Sequence, residues 1–107
     1  FAAGATKKYQ QCMTATYGDT DTIQECIKDE LKVQNKRLDK YYKKYLKNSG
    51  EFEENYQTQH QLWASRVNKV CRSNTSSVYA VIQQQKCILG MTVDRAGFYE
   101  KKTLTFE

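Results

Sequence analysis

The sequence predicts an all-α fold, a compact bundle of four to five helices held by two disulfide bonds. The 107 residues include no proline, so the residue that most strongly breaks helices is missing. Hydrophobic residues recur every three to four positions over long segments, which is the spacing of one face of a helix. Only 39% of the residues are hydrophobic, and four are cysteines. A core of this size usually needs covalent support, which the cysteines can supply.

The first two predicted helices lie on either side of Gly18. The first is short and covers residues 6–17. The second runs to Lys47, and near its start the sequence TIQE at residues 22–25 matches a capping box. Its apolar residues follow helical spacing, with Gln34 as the one polar interruption. They are Ile23, Ile27, Leu31, Leu38, Tyr41, Tyr42, Tyr45 and Leu46.

The third predicted helix begins near Ser49 and ends around Cys71. Its inward stripe is predicted to consist of Phe52, Tyr56, Gln59, Trp63, Val67 and Val70. Residues 73–77 form a polar connector that can cap the helix after it. The last helical segment covers residues 78–102, and Gly90 can kink it or split it in two.

We assign residues 6–107 to a single helical domain, because no repeat, linker or change in composition divides them. Residues 1–5, with the sequence FAAGA, fit the small-residue end of a cleaved leader or a cloning scar, and we expect them to be flexible. No apolar run approaches the ~20 residues that a membrane-spanning helix needs.

The four cysteines are interpreted as a disulfide framework. They lack the spacing of a CxxC motif, and a single histidine cannot complete a zinc-finger pattern, so we expect neither a metal nor a cofactor. Spacing around Gly18 favours the local pairs Cys12–Cys26 and Cys71–Cys87. The alternatives 12–71 with 26–87 and 12–87 with 26–71 stay open. Disulfides indicate an oxidising compartment, so we expect a periplasmic or secreted protein whose leader has been removed.

The stretch HQLWASRVNKVC, residues 60–71, contains the only tryptophan and the only histidine of the chain. On a helix Trp63 and Arg66 share one face, so we interpret Trp63 as a packing residue and Arg66 as an anchor that binds a carboxylate. The candidate acceptors are Asp29, Asp39 and Asp94. His60 is expected at the surface. No nucleophile has a base beside it, so we predict no catalytic residue and no enzymatic activity.

The same region carries a family resemblance. The second half of the chain resembles the domain of the bacterial lysozyme-inhibitor LprI-like family in the order of Gln59, Trp63, Arg66, Cys71, Cys87, Thr92 and Arg95. The first half is similar to that family through Cys12, Cys26, Leu38, Asp39, Tyr42 and Leu46. The resemblance implies a small, helical, disulfide-bonded envelope protein and makes Arg95 a further structural anchor. At least one member of that family inhibits lysozyme.

The function that this resemblance implies is a periplasmic inhibitor or immunity-type protein, which binds and blocks lysozyme or another peptidoglycan hydrolase. Such a protein needs a rigid, protruding edge, because preorganisation lowers the entropic cost of binding. The two inter-helix connectors are the candidate edges. Their candidate partner-binding residues are Asn48, Ser49, Gly50, Glu51, Glu54, Asn74 and Ser76. The net charge of +5 disfavours a strongly basic lysozyme and favours an acidic or neutral hydrolase.

The alternative function is the binding of an envelope polyanion. Residues 36–47 carry a basic stripe at helical spacing, interleaved with tyrosines that could stack on a ligand if they were exposed. The stripe consists of Lys36, Lys40, Lys43 and Lys47. An oxidising compartment holds little nucleic acid, so we expect lipopolysaccharide or an acidic wall polymer instead. A homodimer could form through spare apolar residues, which are Phe98, Tyr99, Leu104 and Phe106.

Overall fold

The structure is a computed structural model that describes residues 4–104, and these form four α-helices and no strand. The elements are α1 (Lys7–Thr14), α2 (Thr20–Lys47), a short 3-10 helix (Gly50–Phe52), α3 (Glu53–Val70) and α4 (Val78–Leu104). The predicted all-α class is confirmed. The predicted break near Gly90 is wrong, because α4 continues through it and the Thr92 hydroxyl donates to the Ile88 carbonyl at 2.8 Å within the same helix.

Three helices begin at side-chain caps, and at the start of α1 the Thr6 hydroxyl oxygen accepts from the Tyr9 N–H at 3.2 Å. The Asp19 carboxylate accepts hydrogen bonds from the backbone N–H and the hydroxyl of Thr22, which lower the pKa of Asp19. Thr22 therefore lies in the first turn of α2, and the predicted capping box at residues 22–25 is wrong. At the start of α4 the Ser77 hydroxyl oxygen accepts from the Ala80 N–H at 3.2 Å, as expected for the polar connector.

The two long helices, α2 and α4, run parallel and form the largest helix–helix interface. Ile27 near the start of α2 packs with Ile82 and Leu89, whereas Tyr45 near its end packs with Tyr99. The helices α1 and α3 run antiparallel to this pair. The disulfide Cys12–Cys26 ties α1 to α2, and Cys71–Cys87 ties the end of α3 to the middle of α4, so the favoured local pairs are the ones present.

The core divides into two clusters along the α2–α4 pair. Buried residues of the aliphatic cluster are Tyr9, Cys26, Ile27, Ile82, Leu89 and Val93. Buried residues of the aromatic cluster are Leu38, Tyr45, Ala96 and Tyr99, and partly buried residues around them are Tyr41, Tyr42, Tyr56 and Trp63. Helix α1 covers the aliphatic cluster and α3 covers the aromatic one. The four helices thus enclose two chemically different core clusters.

A buried polar network lies between the two clusters. The Glu30 carboxylate is 3% exposed and accepts from the Thr6 backbone N–H at 2.7 Å and from Gln34 Nε2 at 2.9 Å. Gln34 Oε1 in turn accepts from Arg37, whose guanidinium pairs with Glu100 on α4 at 2.6 Å. Each buried polar group in this chain of contacts therefore has a partner, which burial of polar atoms requires.

The segment before α1 takes part in the core. Ala5 packs against the aliphatic cluster, and the Gly4 carbonyl accepts from Gln34 Nε2 at 3.4 Å. A Cβ at Gly4 would come within 3.3 Å of a Val93 methyl group, and its φ of 103° suits glycine. Residues 4 and 5, expected to be flexible together with residues 1–3, therefore contact the core, while residues 1–3 lie outside the described part.

The turn between α1 and α2 contains a tyrosine in a left-handed conformation. Tyr17 has a φ of 50° and is followed by Gly18 with a φ of 83°. Glycine adopts this region freely, whereas an L-residue with a bulky side chain pays about 1–2 kcal/mol. We call residues 15–19 the Tyr17 turn. It shortens α1, which ends at Thr14 instead of the predicted residue 17.

Candidate functional site

Arg95 lies at the centre of the aromatic cluster. Its guanidinium carbon is 4.7 Å from the Phe98 ring centroid, 4.9 Å from that of Tyr99 and 5.8 Å from that of Trp63. Each distance is within the range of cation–π attraction. Arg95 Nε is buried and has no hydrogen-bond partner among residues 4–104. Aromatic faces, rather than a carboxylate, thus surround this cation.

His60 packs into the same cluster. Its ring stacks on Tyr42 with centroids 3.9 Å apart, and its Nδ1 lies 2.8 Å from the Tyr99 hydroxyl. Burial raises the pKa of Tyr99, and a hydrogen bond from Arg95 opposes that increase. Burial first, and the charge of Arg95 second, lower the pKa of His60, against a smaller opposing effect of Asp39.

The position of His60 corrects the predicted face of α3. The inward residues are Tyr56, His60, Trp63 and Val67. Phe52, Gln59 and Val70 were predicted to face inward but are exposed. Phe52 belongs to the 3-10 helix before α3, and within α3 the buried face includes His60 instead of Gln59. Spacing alone could have found His60, because it lies four residues after Tyr56 and three before Trp63.

Tyr45 anchors α2 in this cluster. Its ring stacks on Tyr56 with centroids 4.5 Å apart and lies 5.0 Å from that of Tyr99. Burial, together with the neighbouring Tyr56 hydroxyl, raises the pKa of Tyr45 to about 12. The Tyr45 hydroxyl is therefore neutral at physiological pH, and the chemistry of the cluster is that of hydrogen bonds and π faces.

A groove of about 240 Å³ opens beside the cluster. Its lining residues are Trp63, Arg66, Met91, Asp94, Arg95 and Phe98. The predicted anchors Trp63 and Arg95 are partly buried here, but Arg66 is exposed and forms no ion pair with any carboxylate of residues 4–104. The predicted anchoring of Arg66 is therefore wrong. It is Arg95 that the aromatic side chains enclose.

The two connectors with predicted partner-binding residues lie at opposite ends of the molecule. One follows the end of α2 and the other precedes the start of α4, and these helices run parallel. The Cα atoms extend over 49 × 31 × 16 Å, so one compact surface does not include both. The exposed candidates are Asn48, Gly50, Glu51, Glu54, Asn74 and Ser76.

Ser49 departs from this set. It is 7% exposed, and its hydroxyl donates to the Leu46 carbonyl at 2.5 Å, so it closes the end of α2 instead of facing a partner. The second connector folds back along α4, where Arg72 and Ser73 border an open groove of about 320 Å³ with Gln83 and Gln84. This path explains how Cys71 reaches Cys87, well inside α4.

The basic stripe on α2 is exposed as predicted, but its tyrosines are not free. Tyr45 is 7% exposed, and Tyr41 and Tyr42 are partly buried. Lys40 and Lys44 lie over the Tyr41 ring, at 5.3 and 5.8 Å from its centroid. The exposure that these tyrosines would need to stack on a ligand is therefore absent, and only the lysines offer a surface.

The apolar residues suggested for a homodimer do not form one patch. Tyr99 is 0% exposed and belongs to the core, so it cannot contact a second molecule. Phe98 is 38% exposed and Leu104 is 64% exposed, while Phe106 lies outside the described residues.

The Tyr17 turn is the prominent surface feature that spacing did not predict. The Tyr17 side chain is 96% exposed, more than the other large hydrophobic residues of the described part. Tyr79, at the start of α4 and so at the same end of the molecule, is 73% exposed. The only signal in the sequence is the pair Tyr17-Gly18, since glycine marks a turn but does not place the tyrosine.

Residues 4–104 contain no cluster of three or more His, Cys, Asp or Glu side chains that could hold a metal ion. Within that same range, no helix has the length and apolar character required to cross a membrane. What the arrangement offers chemically is a stiff body with an aromatic groove at one end and an exposed tyrosine at the other.

A comparison with protein families agrees with this architecture of helices and paired cysteines. The model of the family described as lysozyme inhibitor LprI matches residues 12–98, which is most of the chain and includes all four cysteines and Trp63. Neither a curated protein sequence nor a solved structure matches. The chain therefore belongs to the LprI lysozyme-inhibitor family.

Proposed function

We propose that this protein is a periplasmic or secreted inhibitor, of immunity type, that binds a cell-wall lytic enzyme and blocks it without chemistry of its own. The observation that carries the proposal is the match of residues 12–98 to the lysozyme inhibitor LprI family. The enzyme is lysozyme or another peptidoglycan hydrolase.

The rigidity of the molecule supports this role. Two disulfides fix α1 to α2 and α3 to α4, and both connectors are short. A protein that is already ordered loses little conformational entropy on docking, so more of the contact energy remains as affinity. The same bridges are typical of proteins in oxidising compartments, which is where wall hydrolases act.

The test is an inhibition and binding assay with a panel of peptidoglycan hydrolases of different net charge, run at two salt concentrations. We expect the protein to inhibit at least one hydrolase, with binding that survives high salt, since a shape-matched interface depends on buried contacts more than on long-range charge. Protein that has been reduced and alkylated serves as the control and should lose inhibition. Failure to bind or inhibit every hydrolase would contradict the proposal.

The exposed lysines support one second candidate, a binding module for envelope polyanions. Lys36, Lys40, Lys43 and Lys47 are exposed, and none forms an ion pair with a carboxylate of residues 4–104. Salt-sensitive retention on lipopolysaccharide or on an acidic wall polymer, without capture of any hydrolase, would favour this function. Replacing the four lysines by Gln should then abolish retention and leave the fold intact, because their charged heads are in solvent.

A further inference from the structure

Tyr17 contributes little to the stability of the fold. Its side chain is 96% exposed, so the ring buries almost no apolar surface. Its backbone has a φ of 50°, a conformation that Gly or Asn adopts at lower cost. Stability of the fold does not explain why an exposed aromatic residue occupies a position with a positive φ. Such strain is found at sites that serve a function.

The base of the Tyr17 turn is held firmly. Thr16 is 7% exposed, and its hydroxyl donates to the Met13 carbonyl at 2.8 Å. The Thr16 carbonyl accepts from the Asp19 N–H at 3.0 Å, and Asp19 caps α2. The disulfide Cys12–Cys26 joins the two helices that carry the turn. The Tyr17 ring is therefore presented on a fixed support, which lowers the entropy lost when a partner binds it.

The end of the molecule that carries Tyr17 is acidic although the chain is basic. Residues 9–27 include Asp19, Asp21 and Glu25 and no Lys or Arg, and residues 73–85 are uncharged. Arg72, in the connector at this same end, is the one basic residue of residues 9–27 and 72–85, so these two segments carry a net charge of −2, and the other 16 basic residues lie outside them. Salt screens charges beyond about 8–10 Å at physiological ionic strength, so at contact a partner senses the acidic end rather than the net charge of +5.

We propose that the Tyr17 turn is the inhibitory element and that the Tyr17 ring enters the glycan-binding cleft of a peptidoglycan hydrolase whose cleft has a basic rim. The inference rests on the proposed function and names the contact surface. A tyrosine ring has two apolar faces and one hydroxyl, which suits a cleft shaped for flat pyranose rings with hydroxyl groups. Asp21 and Glu25 complement the basic rim. The proposed target is therefore a hydrolase with a basic cleft rim, and not the acidic or neutral hydrolase expected from the net charge of +5.

The decisive experiment separates binding from stability in the full chain. Tyr17→Asn removes the ring and places a residue that tolerates a left-handed backbone, so we expect an unchanged or raised melting temperature. We also expect the inhibition constant against a basic, lysozyme-type hydrolase to rise about 30-fold, as for a central aromatic contact. A soluble chito-oligosaccharide that fills the cleft should compete with the wild-type protein. The control is Leu62→Ala, which removes a 64% exposed apolar side chain from α3 and should leave inhibition unchanged.

The outcomes distinguish the inference from the function on which it rests. If the wild-type protein inhibits but Tyr17→Asn inhibits equally well, or if the oligosaccharide does not compete, the inference is wrong and the proposed function stands. A Tyr17→Asn protein that loses stability together with inhibition would also overturn it, because Tyr17 would then support the fold. If the wild-type protein binds no hydrolase, the proposed function fails first.

Discussion

The aliphatic and aromatic clusters cover the same α2–α4 pair but stabilise it in different ways. In the aliphatic cluster, Ile27, Leu89 and Val93 pack by shape, and the Cys12–Cys26 bridge closes the cluster. In the aromatic cluster, rings pack around Arg95 and one hydrogen bond links Tyr99 to His60. Shape packing does not depend on the protonation of a side chain, whereas the hydrogen bond to His60 does. The two halves should therefore respond to different perturbations.

Removing the central ring of the aromatic cluster should have the largest effect. Tyr99 is 0% exposed, so Tyr99→Ala should lower the free energy of unfolding by about 3–5 kcal/mol, through the lost ring and the cavity it leaves. Chemical denaturation measures this loss. The matched control is Tyr79→Ala, which removes the same side chain where it is 73% exposed and should change stability by less than about 0.5 kcal/mol. Equal losses for the two variants would contradict the assigned core.

Removing each disulfide in turn should sharpen the comparison. Substituting Cys71 and Cys87 by Ala should cost about 3 kcal/mol in the chain-entropy model, and a similar loss is expected for Cys12 and Cys26. The two variants should differ in which part of the molecule loses stability. Among the residues of α3 only Val67 is buried, so loss of the second bridge should open the end of α3 locally.

Hydrogen exchange measures this difference between the bridges. Without Cys71–Cys87, amides in the second half of α3 should exchange well before those of α2, whereas loss of Cys12–Cys26 should lower protection throughout. Uniform loss of protection in both variants would show that α3 is part of the global unfolding unit and that the two halves are not distinct.

The two long helices and the buried polar network show which parts of the fold the sequence could predict. Helical spacing predicted α2 and α4 because their apolar residues repeat at regular intervals, and cysteine positions predicted the local bridges. Gln34, by contrast, looked like a polar interruption, yet it is 1% exposed. Its burial depends on Arg37 beside it and on Glu30 one turn away, whose own partner is the backbone of Thr6. Such burial follows from tertiary contacts, which spacing does not encode.

The candidate site was predictable only in part, because some of its contacts also depend on how the helices pack. Trp63 was identified as a packing residue because a large aromatic side chain on the inward face of a helix usually packs, whereas Arg95 was named as an anchor only through the family resemblance. That Arg66 is exposed while Arg95 lies among the rings depends on how α3 packs on α4, which helical spacing does not encode. Tyr17 was missed because propensity argues against a left-handed tyrosine, and a residue placed against its propensity is visible only in the fold.

A pH titration should distinguish the two halves without any large loss of structure. The folded protein holds the pKa of His60 below its ordinary value of 6.5, through burial and Arg95, so the unfolded chain binds the proton more readily. The stability from neutral His60 is present above pH 6.5 and is lost as pH falls through the lower folded pKa. The free energy of unfolding should therefore decrease between pH 7.5 and 5.

The control for this titration is His60→Gln, which keeps a hydrogen-bonding side chain beside the Tyr99 hydroxyl but does not titrate. The variant should lose the His60-dependent part of the slope, and the difference between the two curves isolates that contribution from the carboxylates. Identical slopes would mean that His60 is not desolvated in the folded protein. Tryptophan fluorescence from Trp63 reports unfolding in both proteins, since Trp63 lies beside His60 with ring centroids 5.4 Å apart.

The smallest expected effect lies between the two clusters, at the ion pair of Arg37 and Glu100. The side chains are 27% and 36% exposed, so solvent screens the pair and Glu100→Gln should cost about 0.2–1 kcal/mol. Arg37→Met should cost more, about 1–3 kcal/mol, because it also leaves the buried Oε1 of Gln34 without its donor. Denaturation of the two single variants and the double variant measures both effects. If Arg37→Met costs no more than Glu100→Gln, the buried polar network does not couple the halves, and the surface ion pair is the whole of the contribution of Arg37.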